Sequence, residues 1–147
     1  MVLTLTWGNF EKACRKLAYQ IRCSYDPECI LAIARGGLIV SVRLSHMLDV
    51  RCLAFTSVEY YREPGVKAGR PKLEVPPTGE YIGKRVLLVD DIIDTGDTVK
   101  LIIDLLRGKI RDLRIAALTF KPWSSIKPNY YGFGPVKEWV VFPWEIK

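Results

Sequence analysis

The most constraining feature of this 147-residue chain is the segment VLLVDDIIDTGDTVK at residues 86–100. Its apolar run ends in two adjacent carboxylates, Asp90 and Asp91, and a third, Asp94, follows two apolar residues later. Thr95-Gly96-Asp97-Thr98 then opens a helical pattern running through TVKLIIDLLRG (98–108), with Gly108 as its C-terminal stop. A short, wholly apolar run is the pattern of a strand covered on both faces, as in a parallel sheet between helices.

The flanking sequence repeats the alternation. Residues 7–22 carry Phe10, Ala13, Cys14, Leu17, Ala18 and Ile21 at helical spacing, with Thr6 placed as N-cap. A turn at Asp26-Pro27 precedes the apolar strand CILAIA (29–34), and a second helix is expected over 37–48 with Leu38, Val42, Leu44 and Leu48 inward. Further strands are expected at 52–61, 85–91 and 113–120, and a short aromatic one in the tail KEWVVFPWEIK. Strands alternating with helices predict an α/β fold: one doubly wound, mostly parallel sheet with helices on both faces, in a single domain over 1–147. Residues 62–84 hold four prolines, four glycines and several basic side chains, and read as a long flexible loop that could close as a lid.

Composition adds limits. With 22 Lys+Arg against 16 Asp+Glu the chain carries a formal charge of +6, which suits an anionic partner of any kind. No window reaches the roughly 18 consecutive apolar residues of a membrane-spanning helix, so no membrane is expected as partner. Cys14, Cys23, Cys29 and Cys52 are spaced 9, 6 and 23 apart, and His46 is the only histidine; this excludes a familiar zinc spacing and predicts free buried thiols in a reducing, cytoplasmic setting. His46, within the second helix, reads as structural.

In an open α/β sheet, ligands settle at the carboxyl ends of the strands, where the 90–98 loop must lie. A helix start offers unpaired N–H groups and partial positive charge to a phosphate. Gly96 permits close approach of the backbone, and the Thr95 and Thr98 hydroxyls add donors. Carboxylates beside a phosphate repel it unless hydroxyls or a hard cation stand between, which points to a phosphorylated sugar with magnesium.

The segment VLLVDDIIDTGDT closely resembles the signature of the type I phosphoribosyltransferases. The resemblance implies that Asp90 and Asp91 serve the ribose hydroxyls of phosphoribosyl pyrophosphate, with Asp91 also near Mg2+. It implies that Thr95, Gly96, Asp97 and Thr98 hold the 5-phosphate, and that Asp94 exchanges a proton with the purine N7. Many relatives carry Gly or Lys at the position of Asp97; an acid is tolerable there if its side chain turns away and its backbone N–H does the binding. Upstream, Ala34-Arg35-Gly36-Gly37 at the end of the first long strand is similar to the pyrophosphate loop of the purine-using members, often built on a non-proline cis peptide. An Arg and two glycines supply charge and backbone access to a polyanion.

A strand ending in Lys121, then Trp139-Val140 some twenty residues on, resembles the 6-oxopurine members. By that resemblance Lys121 donates to O6, Trp139 stacks on the base and the Val140 carbonyl faces the ring edge. Residues 121–147 would form a base-binding hood, and Glu145 would reach the metal through water. An ammonium donor suits a carbonyl at C6 and opposes an amino group there. The Ser-Tyr step that relatives carry in the long loop is absent, so that role is not transferred to Tyr60 or Tyr61. The resemblance thus implies a purine-salvage pentosyl transfer to hypoxanthine, guanine or xanthine by a homo-oligomer, dimer or tetramer. Transfer to another base, or a non-catalytic nucleotide sensor that binds nucleic acid, are the alternatives. No basic helix with interleaved aromatics is present, so nucleic acid is not the expected partner.

Overall fold

The computed structural model describes residues 1–61, 64–65 and 69–147. In chain order the elements are β1 (Val2–Thr4), α1 (Trp7–Ser24), β2 (Cys29–Ala34), α2 (Gly36–Leu48), β3 (Cys52–Tyr61), β4 (Arg70–Thr78), β5 (Arg85–Ile93), α3 (Asp97–Leu106), β6 (Asp112–Phe120), β7 (Tyr130–Tyr131) and β8 (Trp139–Val141), followed by a 3-10 turn at Pro143–Glu145. Six strands form one sheet in the order β4-β3-β2-β5-β6-β7, parallel throughout except for the antiparallel β3–β4 pair. This is the expected α/β arrangement.

Alternation along β5 explains the two layers. Leu87 and Val89 face a core with Phe10, Leu17 and Ile21 of α1 and with Val40 and Leu44 of α2. Val86 and Leu88 face the opposite core, with Val99, Ile102 and Leu106 of α3. Side chains alternate across a strand, so a run apolar at every position demands cover on both sides. All six residues of the predicted α1 stripe are buried, and Thr6 caps the helix, its Oγ1 accepting from Asn9 N at 3.1 Å.

The two ends of the chain meet in a second, two-stranded parallel sheet, β1 with β8, where Leu3 stands opposite Val140. Phe10, Phe142 and Trp144 pack beneath it, the last two rings stacked at 4.8 Å.

Several expectations are corrected. The predicted loop over 62–84 contains strand β4, which pairs with β3 from Phe55↔Thr78 to Tyr61↔Arg70. Its prolines disguise it: β4 lies at the sheet edge, where a missing N–H costs no ladder bond, and the pairing is interrupted by register shifts near Ser57. Arg62 and Lys67, counted among the basic residues of that loop, lie outside the described residues. In α2 the inward stripe is Gly37, Val40, Ser41 and Leu44, and Val42 is exposed. Gly37 sets that phase, because a Cβ there would stand 2.7 Å from the Val89 carbonyl oxygen. His46 lies exposed near the end of α2. Cys29 and Cys52 are joined as a disulfide, since the parallel β2–β3 register places them side by side. Cys14 is a buried thiol, but Cys23 is exposed.

Candidate active site

The carboxyl ends of β2 and β5 and the start of α3 enclose two adjoining cavities. One, of 340 Å³, is lined by Tyr60, Asp90, Asp94, Thr95, Gly96 and Thr98 among others. The second, of 760 Å³, is lined by Arg35, Gly36, Asp90, Asp91, Thr98 and Glu145 among others. Asp90 and Thr98 belong to both walls, so the cavities form one cleft. The strand segment, the helix start and the Arg-Gly turn are thereby brought together from positions more than sixty residues apart.

β5 continues to Ile93, two residues beyond the expected end, which keeps Asp90 and Asp91 on rigid backbone. Asp90 Oδ1 accepts from Asp91 N at 2.9 Å, and Asp91 Oδ1 accepts from Ile92 N at 2.7 Å. Burial pushes the Asp90 carboxyl well above the ordinary carboxylate range, and the neighbouring Asp91 charge adds to the rise. Burial also raises Asp91, and nearby Glu145 adds to it, against the hydrogen bonds it shares with Asp90 and Ile92. Two desolvated carboxylates without a cation call for hydroxyl donors or a metal.

Gly36 brings the β2–α2 turn hard against this pair. A Cβ there would overlap Asp91 Oδ2 and lie 2.5 Å from its Cγ. The Ala34–Arg35 peptide bond is cis, and Arg35 is exposed beside it. Gly37 lies behind the cleft, packed on Val89 and Asp90, and does not line it.

α3 begins at Asp97 with Gly96 as N-cap, φ 93°, a residue with no side chain to cap the helix, and the Asp97 amide donates to Thr95 Oγ1 at 3.3 Å. Gly96 is required twice over: the left-handed conformation disfavours a side chain, and a Cβ would meet Ser125 Oγ at 2.7 Å. Asp97 does not line the cleft. Its Oδ2 accepts from Tyr60 Oη at 3.0 Å, so the acid at the anomalous position is turned toward β3.

Asp94 is exposed at the tip of the loop, and its Oδ1 accepts from the Trp123 indole Nε1 at 2.8 Å. Lys121, at the end of β6, is only 6% exposed; its Nζ donates to the Glu138 carbonyl oxygen and lies 5.6 Å from the centre of the Trp123 ring. Trp139 is 70% exposed, and Val140 is buried in the β1–β8 pair. Lys121, Trp139 and Val140 line neither cavity. Glu145 does line the larger one, with its Oε2 committed to Phe142 N at 2.8 Å. Among the described residues no group of three His, Cys, Asp or Glu side chains is arranged to hold a metal. Asp91 and Glu145 line the same cavity and are the carboxylates that would hold a hard cation, with substrate and water supplying the remaining oxygen ligands.

Sequence reasoning missed Tyr60, Trp123 and Ser125. The only local hint was Lys121-Pro122-Trp123-Ser124, a proline-initiated turn.

The family model described as the phosphoribosyl transferase domain matches residues 4–147. The chain is 31% identical over 144 residues to the xanthine-guanine phosphoribosyltransferase of Gluconobacter oxydans, covering 97% of this chain and 83% of that protein. It is 26% identical over 152 residues to the enzyme of the same name from Roseobacter denitrificans, covering 97% of this chain and 84% of that one. The crystal structure of a purine phosphoribosyltransferase from Pyrococcus horikoshii superposes with a TM-score of 0.89 at 38% identity, covering 99% of this chain and 95% of that chain. With the acid pair, the Arg-Gly turn and the open helix start in one cleft, and a family match over nearly its whole length, the chain belongs to the phosphoribosyltransferases.

Proposed function

We propose that the chain transfers the phosphoribosyl group of phosphoribosyl pyrophosphate to N9 of a 6-oxopurine base. The N9–C1 bond of the nucleoside 5-monophosphate forms as the C1–oxygen bond to pyrophosphate breaks. The observation that carries this reading is the shared wall of the cleft: Asp90 and Thr98 link the helix-start cavity to the one holding Arg35, Gly36 and Asp91. The 5-phosphate sits on the amides and hydroxyls of Thr95 to Thr98, the ribose hydroxyls donate to Asp90 and Asp91, and the pyrophosphate lies along Arg35 and Gly36. Gly37 lets that turn approach β5.

Mg2+, held by Asp91 with Glu145 nearby, would screen the leaving pyrophosphate and its charge. As N9 bonds to C1, the proton on N7 passes to the Asp94 carboxylate. Lys121, already donating to Glu138, offers its remaining N–H donors to O6. Exposed Trp139 is free to stack on the base, and the neighbouring Val140 carbonyl faces the ring edge. Tyr60 of β3, bonded to Asp97, forms part of the wall of the phosphate cavity. Exposed Val2 and Trp7 give the β1–β8 end apolar surface suited to a homo-oligomer. A highly charged metabolite as substrate fits a cytoplasmic setting.

The deciding experiment measures pyrophosphate release from phosphoribosyl pyrophosphate with hypoxanthine, guanine, xanthine and adenine. Turnover with 6-oxopurines and little with adenine is expected. A salt-sensitive shift of nucleic acid without turnover of any base would overturn the reading in favour of a sensor.

A further inference from the structure

The turn after β6 is stitched to the loop after β5. Ser124 N donates to the Lys121 carbonyl at 3.0 Å, closing a turn with Pro122 at its second position. Ser125 reaches the neighbouring loop twice, its N at 3.0 Å and its Oγ at 2.8 Å from the Thr95 carbonyl oxygen. Within this clamp Trp123 faces both groups that the proposed reaction needs at the base. Its Nε1–H donates to Asp94 Oδ1 at 2.8 Å, while its ring lies 5.6 Å from Lys121 Nζ. Trp123 is 57% exposed, so the indole is held by these partners rather than by burial in the core.

A carboxylate on a loop tip rotates freely unless something fixes it. A donated hydrogen bond to one oxygen fixes the plane of the group and leaves the other oxygen to act. An ammonium near an aromatic ring is likewise drawn to one position. N7 and O6 lie on one edge of a 6-oxopurine, so an acid and an ammonium that meet them together must keep a set spacing. One indole touching both supplies it.

We propose that Trp123 is the positioning residue of the base site: its N–H fixes the Asp94 carboxylate and its ring seats the Lys121 ammonium, so that both meet the N7–O6 edge together. The inference rests on the transfer reaction proposed above.

The test is a mutant cycle. Trp123→Phe keeps a ring and removes the N–H; kcat with hypoxanthine is expected to fall about tenfold, with the Kd for phosphoribosyl pyrophosphate unchanged. In an Asp94→Asn background the same change should cost nothing further, because the group it positions no longer takes a proton. Trp123→Leu, which removes the ring, should in addition reduce the preference for hypoxanthine over adenine. Unchanged kcat in Trp123→Phe, or an equal loss in both backgrounds, overturns the proposal, since a packing defect acts whatever stands at position 94. A second readout is independent of activity. Of the four tryptophan indole N–H resonances in a 15N-labelled sample, that of Trp123 alone should move upfield in Asp94→Ala. If it does not move, Asp94 does not hold it and the proposal fails. If the wild-type protein turns over no purine while that resonance responds, the reaction is wrong and the Trp123–Asp94 pairing stands.

Discussion

Tyr60 Oη donates to Asp97 Oδ2 across 3.0 Å, tying strand β3 to the first turn of α3. An acid at the start of a helix meant for a phosphate repels it, and this hydrogen bond turns the carboxylate aside. Tyr60→Phe should therefore raise the KM for phosphoribosyl pyrophosphate by about threefold to tenfold, the scale of one partly screened charge pair. Asp97→Asn in the same chain should restore it. Steady-state kinetics on the two variants check this, and a Tyr60→Phe effect that survives Asp97→Asn would show that the charge is not the cause.

Asp94→Asn keeps an acceptor for Trp123 but cannot take a proton. kcat should drop by about 10²–10⁴, with substrate affinity by titration nearly unaltered. Comparable turnover would remove Asp94 from the proton role.

Gly36→Ala places a methyl group inside the Asp91 carboxylate. The helical position of Gly36 tolerates alanine, so thermal stability should change little, while affinity for phosphoribosyl pyrophosphate should fall by about tenfold or more as Asp91 is displaced. Calorimetric titration beside a melting curve separates the two outcomes.

Lys121→Ala removes a buried ammonium that anchors the Glu138 carbonyl next to Trp139. Discrimination between hypoxanthine and adenine should weaken by about tenfold or more, and Tm should also drop because the carbonyl loses its donor. Unchanged selectivity in competition assays would show that this lysine does not read the base.

Glu11 joins α1 to α2. It accepts from Arg43 Nε at 2.9 Å and Nη2 at 2.8 Å, and the Arg43 guanidinium, with help from Arg15, holds its carboxyl down at about 2. A lowered carboxyl contributes stability above its ordinary value of 4.5, and that contribution is lost as pH falls toward 2. Glu11→Gln should thus lower Tm at pH 7, with solvent screening keeping the loss to about 1 kcal/mol or less, and the difference should close between those two pH values. Melting curves across pH, repeated at high salt, give the test.

Much of the fold is legible in side-chain periodicity. The α1 stripe from Phe10 to Ile21 and the uninterrupted apolar run of β5 each announce which faces must be covered, because burial of apolar area dominates their placement. α2 misled, since Gly37 and Ser41 face the sheet through smallness and not hydrophobicity. β4 was hidden by prolines that only an edge position tolerates.

At the site, the order of carboxylates, glycines and threonines along residues 90–98 carried the chemistry by itself, because a strand passing directly into a helix start is a local arrangement. Tertiary structure alone decided which distant groups complete it. The β5–β6 register sets Ile93 beside Phe120 and so brings Trp123 to Asp94, and the β3–β4 pairing carries Tyr60 to Asp97. Local pattern records what a residue is made to bury or cap. Contact between chain segments thirty residues apart depends on sheet order and on small residues such as Gly36, whose missing side chain leaves room for a neighbour that no local pattern names.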